Sequence, residues 1–166
     1  PYLSGRALKG ILVNECADLL AVLTVERWQK AAMRLFGKPG QLDDTGSLLH
    51  VGDARLPADL REALLADLQA RLANVQESAR KSQIKARFRA EMLSTLTAIR
   101  SQTAIDEDGV AKKGSLRSRR VILRETPFEA ELIYLGGQAD DETLLVACVA
   151  AFRRAGTNRN RGLGRL

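Results

Sequence analysis

The first ten residues, Pro1-Tyr2-Leu3-Ser4-Gly5-Arg6-Ala7-Leu8-Lys9-Gly10, organise the reading of the whole chain. Pro1-Tyr2-Leu3 is an extended entry. Ser4-Gly5 is a turn or a helix N-cap, because a serine hydroxyl can accept from the N–H groups left open at a helix start. A helical pattern follows, with Leu8, Ile11, Leu12, Leu19, Leu20 and Leu23 on one apolar face. It runs to about Phe36 and stops at the breaker Gly37-Lys38-Pro39-Gly40, with Trp28 and Phe36 as core residues. The stretch Gly5 to Gly10 fails the Walker phosphate-loop pattern, since Ile11 follows Gly10 where Lys and Ser/Thr are required. It still offers backbone N–H groups, Arg6 and Lys9 at a helix N-terminus, which is a serviceable anion site.

The opposite end is also basic. Residues 151–166 read AFRRAGTNRNRGLGRL, with five arginines (Arg153, Arg154, Arg159, Arg161, Arg165) and no acid from Arg153 onward. Glycine lets backbone N–H groups approach a phosphate closely, and arginine supplies a planar fork of donors that suits phosphate oxygens. The same composition also describes a solvated basic tail.

The chain has 166 residues and a formal net charge of +6, nearly all of which is accounted for by that last segment. The length predicts one domain able to bury a real core. No apolar run approaches the roughly 20 residues of a membrane span, and no secretory signal opens the chain. Two cysteines, Cys16 and Cys148, cannot build a disulfide framework or a four-ligand zinc site, and a reducing cytoplasmic setting is the default. The single histidine, His50, leaves no zinc ligand set and no paired-histidine mechanism. It reads as a partly buried structural residue. Asp43, Asp44, Asp53, Asp106 and Asp108 have no spacing that requires a metal, so neither metal nor cofactor is expected.

Between the basic ends, Leu48-Leu49-His50-Val51 is a short strand candidate. From Ala58 to about Arg100 two helical stripes follow, Leu60, Leu64, Leu68, Leu72, Val75 and then Ile84, Phe88, Met92, Leu96, Ile99. Their offset places a break or bend near Ser78–Ser82. The basic run Arg80, Lys81, Lys85, Arg87, Arg89 is read as a solvated helix face. Asp106-Glu107-Asp108-Gly109 and Lys112-Lys113-Gly114-Ser115 are turn signals bounding a hairpin-like loop. Residues 120–124 and 128–135 read as strands, the second with Phe128, Ala130, Leu132 and Tyr134 on one face. The last helix has Asp140 as N-cap, Leu144, Leu145, Cys148, Val149 and Phe152 as its stripe, and Gly156 just past its end.

Two of these segments together carry a family resemblance. The opening resembles the "PYIPGSSLKG" segment that begins the first helix of the RAMP superfamily of CRISPR effector proteins. The ending, Gly156 to Arg165, resembles that superfamily's C-terminal glycine-rich loop, at the expected opposite end of one domain. Asp53-Ala54-Arg55 and the stretch from Thr103 to Arg117 fit as well. GSLRSRRVI (residues 114–122), followed by Phe128-Glu129-Ala130, is most similar to RAMP subunits of the type III-D kind.

The resemblance implies an α+β, ferredoxin-like domain of the RNA-recognition-motif type over residues 1–166, with 57–100 as a helical insertion. It places the first strand upstream of Pro1 and leaves the last strand truncated at Leu166. It implies guide-RNA contacts from Ser4, Gly5, Arg6, Lys9, Gly10, Arg117, Arg154, Asn158, Arg159, Asn160, Arg161, Gly162, Gly164 and Arg165. Guide (CRISPR) RNA, target RNA and other effector-complex subunits, or the rest of a fused chain, are the implied partners, with no membrane. Ser4, Arg6 and Ala7 depart from the family's Pro and Ser-Ser, and Val13 stands where a basic residue is common, so Arg6 is the substitute phosphate ligand. In members that cut target RNA the catalytic Asp lies upstream of this helix, so no residue here is assigned to catalysis. Two other functions compete: a CRISPR-associated endoribonuclease, and a helical protein-interaction module with solubilising ends.

Overall fold

The computed structural model describes residues 2–37, 46–156 and 164–166. The fold is mixed α and β, with five helices and two small antiparallel sheets among the described residues. The chain divides into two compact units, residues 2–55 with 130–166, and residues 56–129.

The first unit is built on α1 (Gly5–Val22), α2 (Glu26–Phe36), β1 (Leu49–Val51), β4 (Leu132–Tyr134) and α5 (Ala139–Ala151). The single helix expected up to Phe36 is two. The β-branched residues Val22, Thr24 and Val25 are poor helix formers, and the chain breaks across Leu23–Val25. The break turns α2 so that Ala31 and Leu35 join Leu12 and Cys16 of α1, Leu49 of β1, and Leu144 and Cys148 of α5 in one core. Trp28 and Phe36 pack against it. Leu35, Leu49 and Leu144 are almost wholly buried, each contributing about 1.5–3 kcal/mol of apolar transfer. Cys148, hydrogen-bonded to Cys16 and out of water, has its thiol pushed up from the ordinary range.

β1 pairs antiparallel with β4, Leu49 opposite Tyr134 and Val51 opposite Leu132. His50 is exposed opposite Ile133 rather than partly buried, because alternation on this short strand turns it away from Leu49. The strand expected over 128–135 shrinks to three residues. α5 starts one residue earlier than expected: Gln138, not Asp140, is its N-cap. The Gln138 N–H donates to the Tyr134 hydroxyl at 3.2 Å, which sets the entry of the helix and leaves Asp140 and Asp141 in its first turn. The helix also closes early, at Ala151, so Arg153, Arg154 and Gly156 lie past its end.

The second unit holds α3 (Ala58–Leu72), α4 (Ser78–Leu96), β2 (Thr97–Gln102) and β3 (Arg117–Ile122). The two helical stripes face each other across α3 and α4, with Phe88 buried, and the break lies at 73–77 rather than at Ser78–Ser82. Arg71 ties the pair, bonding Asp67 one turn back and Glu91 of α4 at 2.7 Å. The helix expected to reach Arg100 ends at Leu96. Thr97 turns its hydroxyl back onto the Leu93 carbonyl and accepts from Arg120, and the chain continues as a strand, so Ile99 is 63% exposed instead of lining a helix. β2 and β3 form the expected hairpin, closed by the Ile105–Ala111 bridge and by Gly109 and Gly114 at positive φ.

Candidate nucleic-acid interface

Two backbone closures organise the basic ends of the first unit. At the first, Leu3 and Ala54 exchange hydrogen bonds of 2.9 and 2.8 Å, bringing Gly52–Asp53 against the start of α1. The Ser4 hydroxyl caps α1 by accepting from the Ala7 N–H at 3.3 Å, as the sequence predicts. The Gly5 N–H donates to the Asp53 carboxylate at 2.9 Å. Gly5 is buried, and a Cβ there would collide with the Val51 carbonyl oxygen, so only glycine fits. Asp53 also accepts from Arg55 at 3.2 Å. The Gly5 bond first, and Arg55 second, hold its carboxyl below the usual carboxylate range.

Ser4 and Gly5 therefore build the site rather than face a ligand. The segment from Gly5 to Gly10 is helix rather than loop, and its open groups are the exposed Arg6, the half-buried Lys9 and the exposed Gly10. With Gly5 and Ala7 engaged, the Arg6 N–H is the first-turn donor without a protein partner among the described residues. A positive helix end, one free N–H and two cationic side chains suit a phosphate.

The second closure pairs Arg154 with Arg165. The Ala155 N–H donates to the Gly164 carbonyl at 2.8 Å, and the Leu166 N–H to that of Arg153 at 2.9 Å. Gly164 has φ +71 and sits so close to the Ala155 carbonyl that a Cβ has no room. The two ends of the glycine- and arginine-rich segment are thus held together, with Arg154 and Arg165 exposed at the closure. Asn158, Arg159, Asn160, Arg161 and Gly162 lie outside the described residues. Arg117 lies in the other unit, exposed on β3 opposite Gln102.

Sequence reasoning missed the role of Asp53, which it weighed only as a metal candidate. A carboxylate two residues from an arginine, next to a glycine and far from any other acid, was the available signal. Among the described residues no three His, Cys, Asp or Glu side chains come together as a metal site, and Asp43 and Asp44 lie outside them. No helix of the described residues is long and apolar enough to cross a membrane.

No protein-family profile and no curated protein matches the chain. Solved structures do resemble it. Chains of the Type III-B Cmr-beta complex, one structure in the apo state and one bound to cognate target RNA, superpose with a TM-score of 0.61 at 15% identity. Each match covers 99% of this chain and 82% of that chain. At that identity the likeness is one of fold, and it spans both units.

Proposed function

We propose that this chain is an RNA-binding subunit, or a domain of one, in a type III CRISPR effector complex. The observation that carries the reading is the fold shared with Cmr-beta chains over 99% of the sequence, one of those complexes being bound to target RNA. Support comes from the chain itself: both segments that resemble RAMP motifs are built as backbone closures that leave cationic groups outward. Arg6 and Lys9 at the start of α1, with Arg154, Arg165 and the segment 156–164, hold guide-RNA phosphates. Sequence is then read by base pairing between guide and target, as in other RNA-guided systems.

The finer assignments belong to the same proposal. The domain is ferredoxin-like, with residues 57–100 as an inserted helical arm that contacts protein rather than RNA. Residues 114–122 align it with the type III-D subunits. The chain acts in the cytoplasm and contributes no catalytic residue of its own.

The test is co-purification from the native host, with sequencing of the bound RNA, for wild type and Arg159→Glu/Arg161→Glu/Arg165→Glu. Short RNAs sharing a repeat-derived end, lost in the variant, are the expected result. A protein free of RNA, unchanged by the substitutions, would overturn the reading.

A further inference from the structure

The β2–β3 ribbon carries a charge arrangement that its own folding opposes. In the antiparallel register Arg100 stands directly opposite Arg119, and Gln102 opposite Arg117. Directly paired residues share a face, and residues two apart on a strand share it too, so Arg100, Arg117 and Arg119 project on one side. The two strands contain four arginines and no acid. The fourth, Arg120, is on the other face, where it donates to the Thr97 hydroxyl at 2.9 Å. The three on the shared face have no ion pair or side-chain hydrogen bond among the described residues.

Like charges directly opposed across an antiparallel pair destabilise it. Guarding a strand edge against aggregation needs a charge, but not two in register with a third beside them. An anion placed between Arg100 and Arg119 converts the repulsion into two charge-assisted contacts, and a guanidinium fork matches phosphate oxygens in particular. Arg117 follows at a two-residue stride of about 6.6 Å, so the face is a row rather than a point.

We propose that this face of the ribbon is a second RNA-backbone site, with Arg100 and Arg119 sharing one phosphate of a single strand and Arg117 taking the next. The register adds Arg100 and Arg119 to Arg117, which sequence alone had singled out. RNA as the occupant rests on the proposed function; the opposed arginines do not.

The full chain is titrated with a labelled single-stranded RNA of mixed sequence across a salt series. Four forms are compared: wild type, Arg100→Ala/Arg117→Ala/Arg119→Ala, a charge-matched control on α4 (Lys81→Ala/Lys85→Ala/Arg89→Ala), and Arg6→Ala/Arg165→Ala. Two phosphates released from the ribbon should lower the magnitude of the salt slope by about 1.4 and weaken low-salt binding on the order of tenfold. The control should change less. The ribbon variant should unfold at the same or a higher temperature than wild type, because a repulsive pair has gone. If it unfolds instead, Arg100→Gln and Arg119→Gln carry the test singly, and each should cost as much as the pair because the phosphate is shared. Unchanged slope and affinity, or a loss matched by the control, would overturn the site. Intact RNA binding with loss of a co-purifying acidic protein would overturn it too, by giving the face to a protein partner. Loss confined to Arg6→Ala/Arg165→Ala sinks this site and keeps the proposed function. Loss confined to the ribbon variant does the reverse, and a wild type that binds no RNA sinks both.

Discussion

Arg34, in the last turn of α2, clamps both oxygens of the fully buried Asp141 in the first turn of α5. Its Nε lies 3.1 and 3.0 Å from the two oxygens, and Nη2 2.5 Å from one of them. The Tyr134 hydroxyl donates to the same carboxylate at 2.8 Å, so α2, β4 and α5 meet at one charge. Bonding to Asp141 raises the Arg34 pKa further, and burial raises that of Tyr134, so the network keeps its charges across the working pH range.

Removing one member should therefore hurt more than removing both. Arg34→Leu leaves a carboxylate in the core with one remaining side-chain donor, whereas Arg34→Leu/Asp141→Leu leaves none to satisfy. Urea denaturation should place the single variant below the double variant in midpoint. The reverse order would mean that the clamp adds nothing beyond packing.

Leu35 is fully buried in the same core, beside Leu49 and Leu144. Leu35→Ala should destabilise the chain by about 2–5 kcal/mol, read from the denaturation midpoint with an unchanged slope. A cost under about 1 kcal/mol would show that the core collapses around the missing side chain.

Gly5 and Gly10 should respond in opposite senses. A Cβ at Gly5 meets the Val51 carbonyl, while at Gly10 it meets open space. Gly5→Ala should open the Leu3–Ala54 closure and lower both thermal stability and RNA binding. Gly10→Ala should stabilise α1 by about 0.5–1 kcal/mol, since glycine is costly in a helix interior. If RNA approaches the helix closely at Gly10, the same variant binds more weakly while melting higher; unchanged affinity would remove Gly10 from the interface.

Asp53 supplies a pH dependence with a definite sign. Its folded pKa is depressed, first by the Gly5 N–H and then by Arg55. The unfolded chain therefore binds its proton at higher pH. The stabilisation is complete above the unfolded carboxylate value of about 3.9 and is lost as pH falls through the folded value. Asp53→Asn keeps an acceptor for Gly5 without the titration, so its stability should fall less steeply on acidification. Parallel acid profiles for the two proteins would show that the Gly5–Asp53 bond does not couple to folding.

Much of the helix content was legible from spacing alone, because Leu8, Leu12 and Cys16, or Leu144 and Cys148, repeat at helical intervals and do bury. The errors fall where two local rules compete. At Leu23–Val25 apolar periodicity continues through a run of β-branched residues, and the core's need for a turn settles the contest. At Thr97–Arg100 the stripe that ends in Ile99 continues the helical spacing, yet pairing with Arg117–Ile122 takes the segment into a strand. The N-cap of α5 moved because a tyrosine hydroxyl four residues back holds the Gln138 N–H, and such a contact has no signature in spacing.

For the candidate site the division is sharper. The residue types at both basic ends, their glycines and their lack of acids are properties of composition, and an anion-facing role follows from charge and donor chemistry wherever the chain folds. That Gly5 is held by Asp53, 48 residues away, that Gly164 closes on Ala155, and that Arg100 faces Arg119 across a ribbon are contacts between distant positions. A one-dimensional pattern reports what a segment prefers. Only the tertiary structure decides which distant backbone it meets, because that choice is made by packing and hydrogen-bond closure over the whole unit.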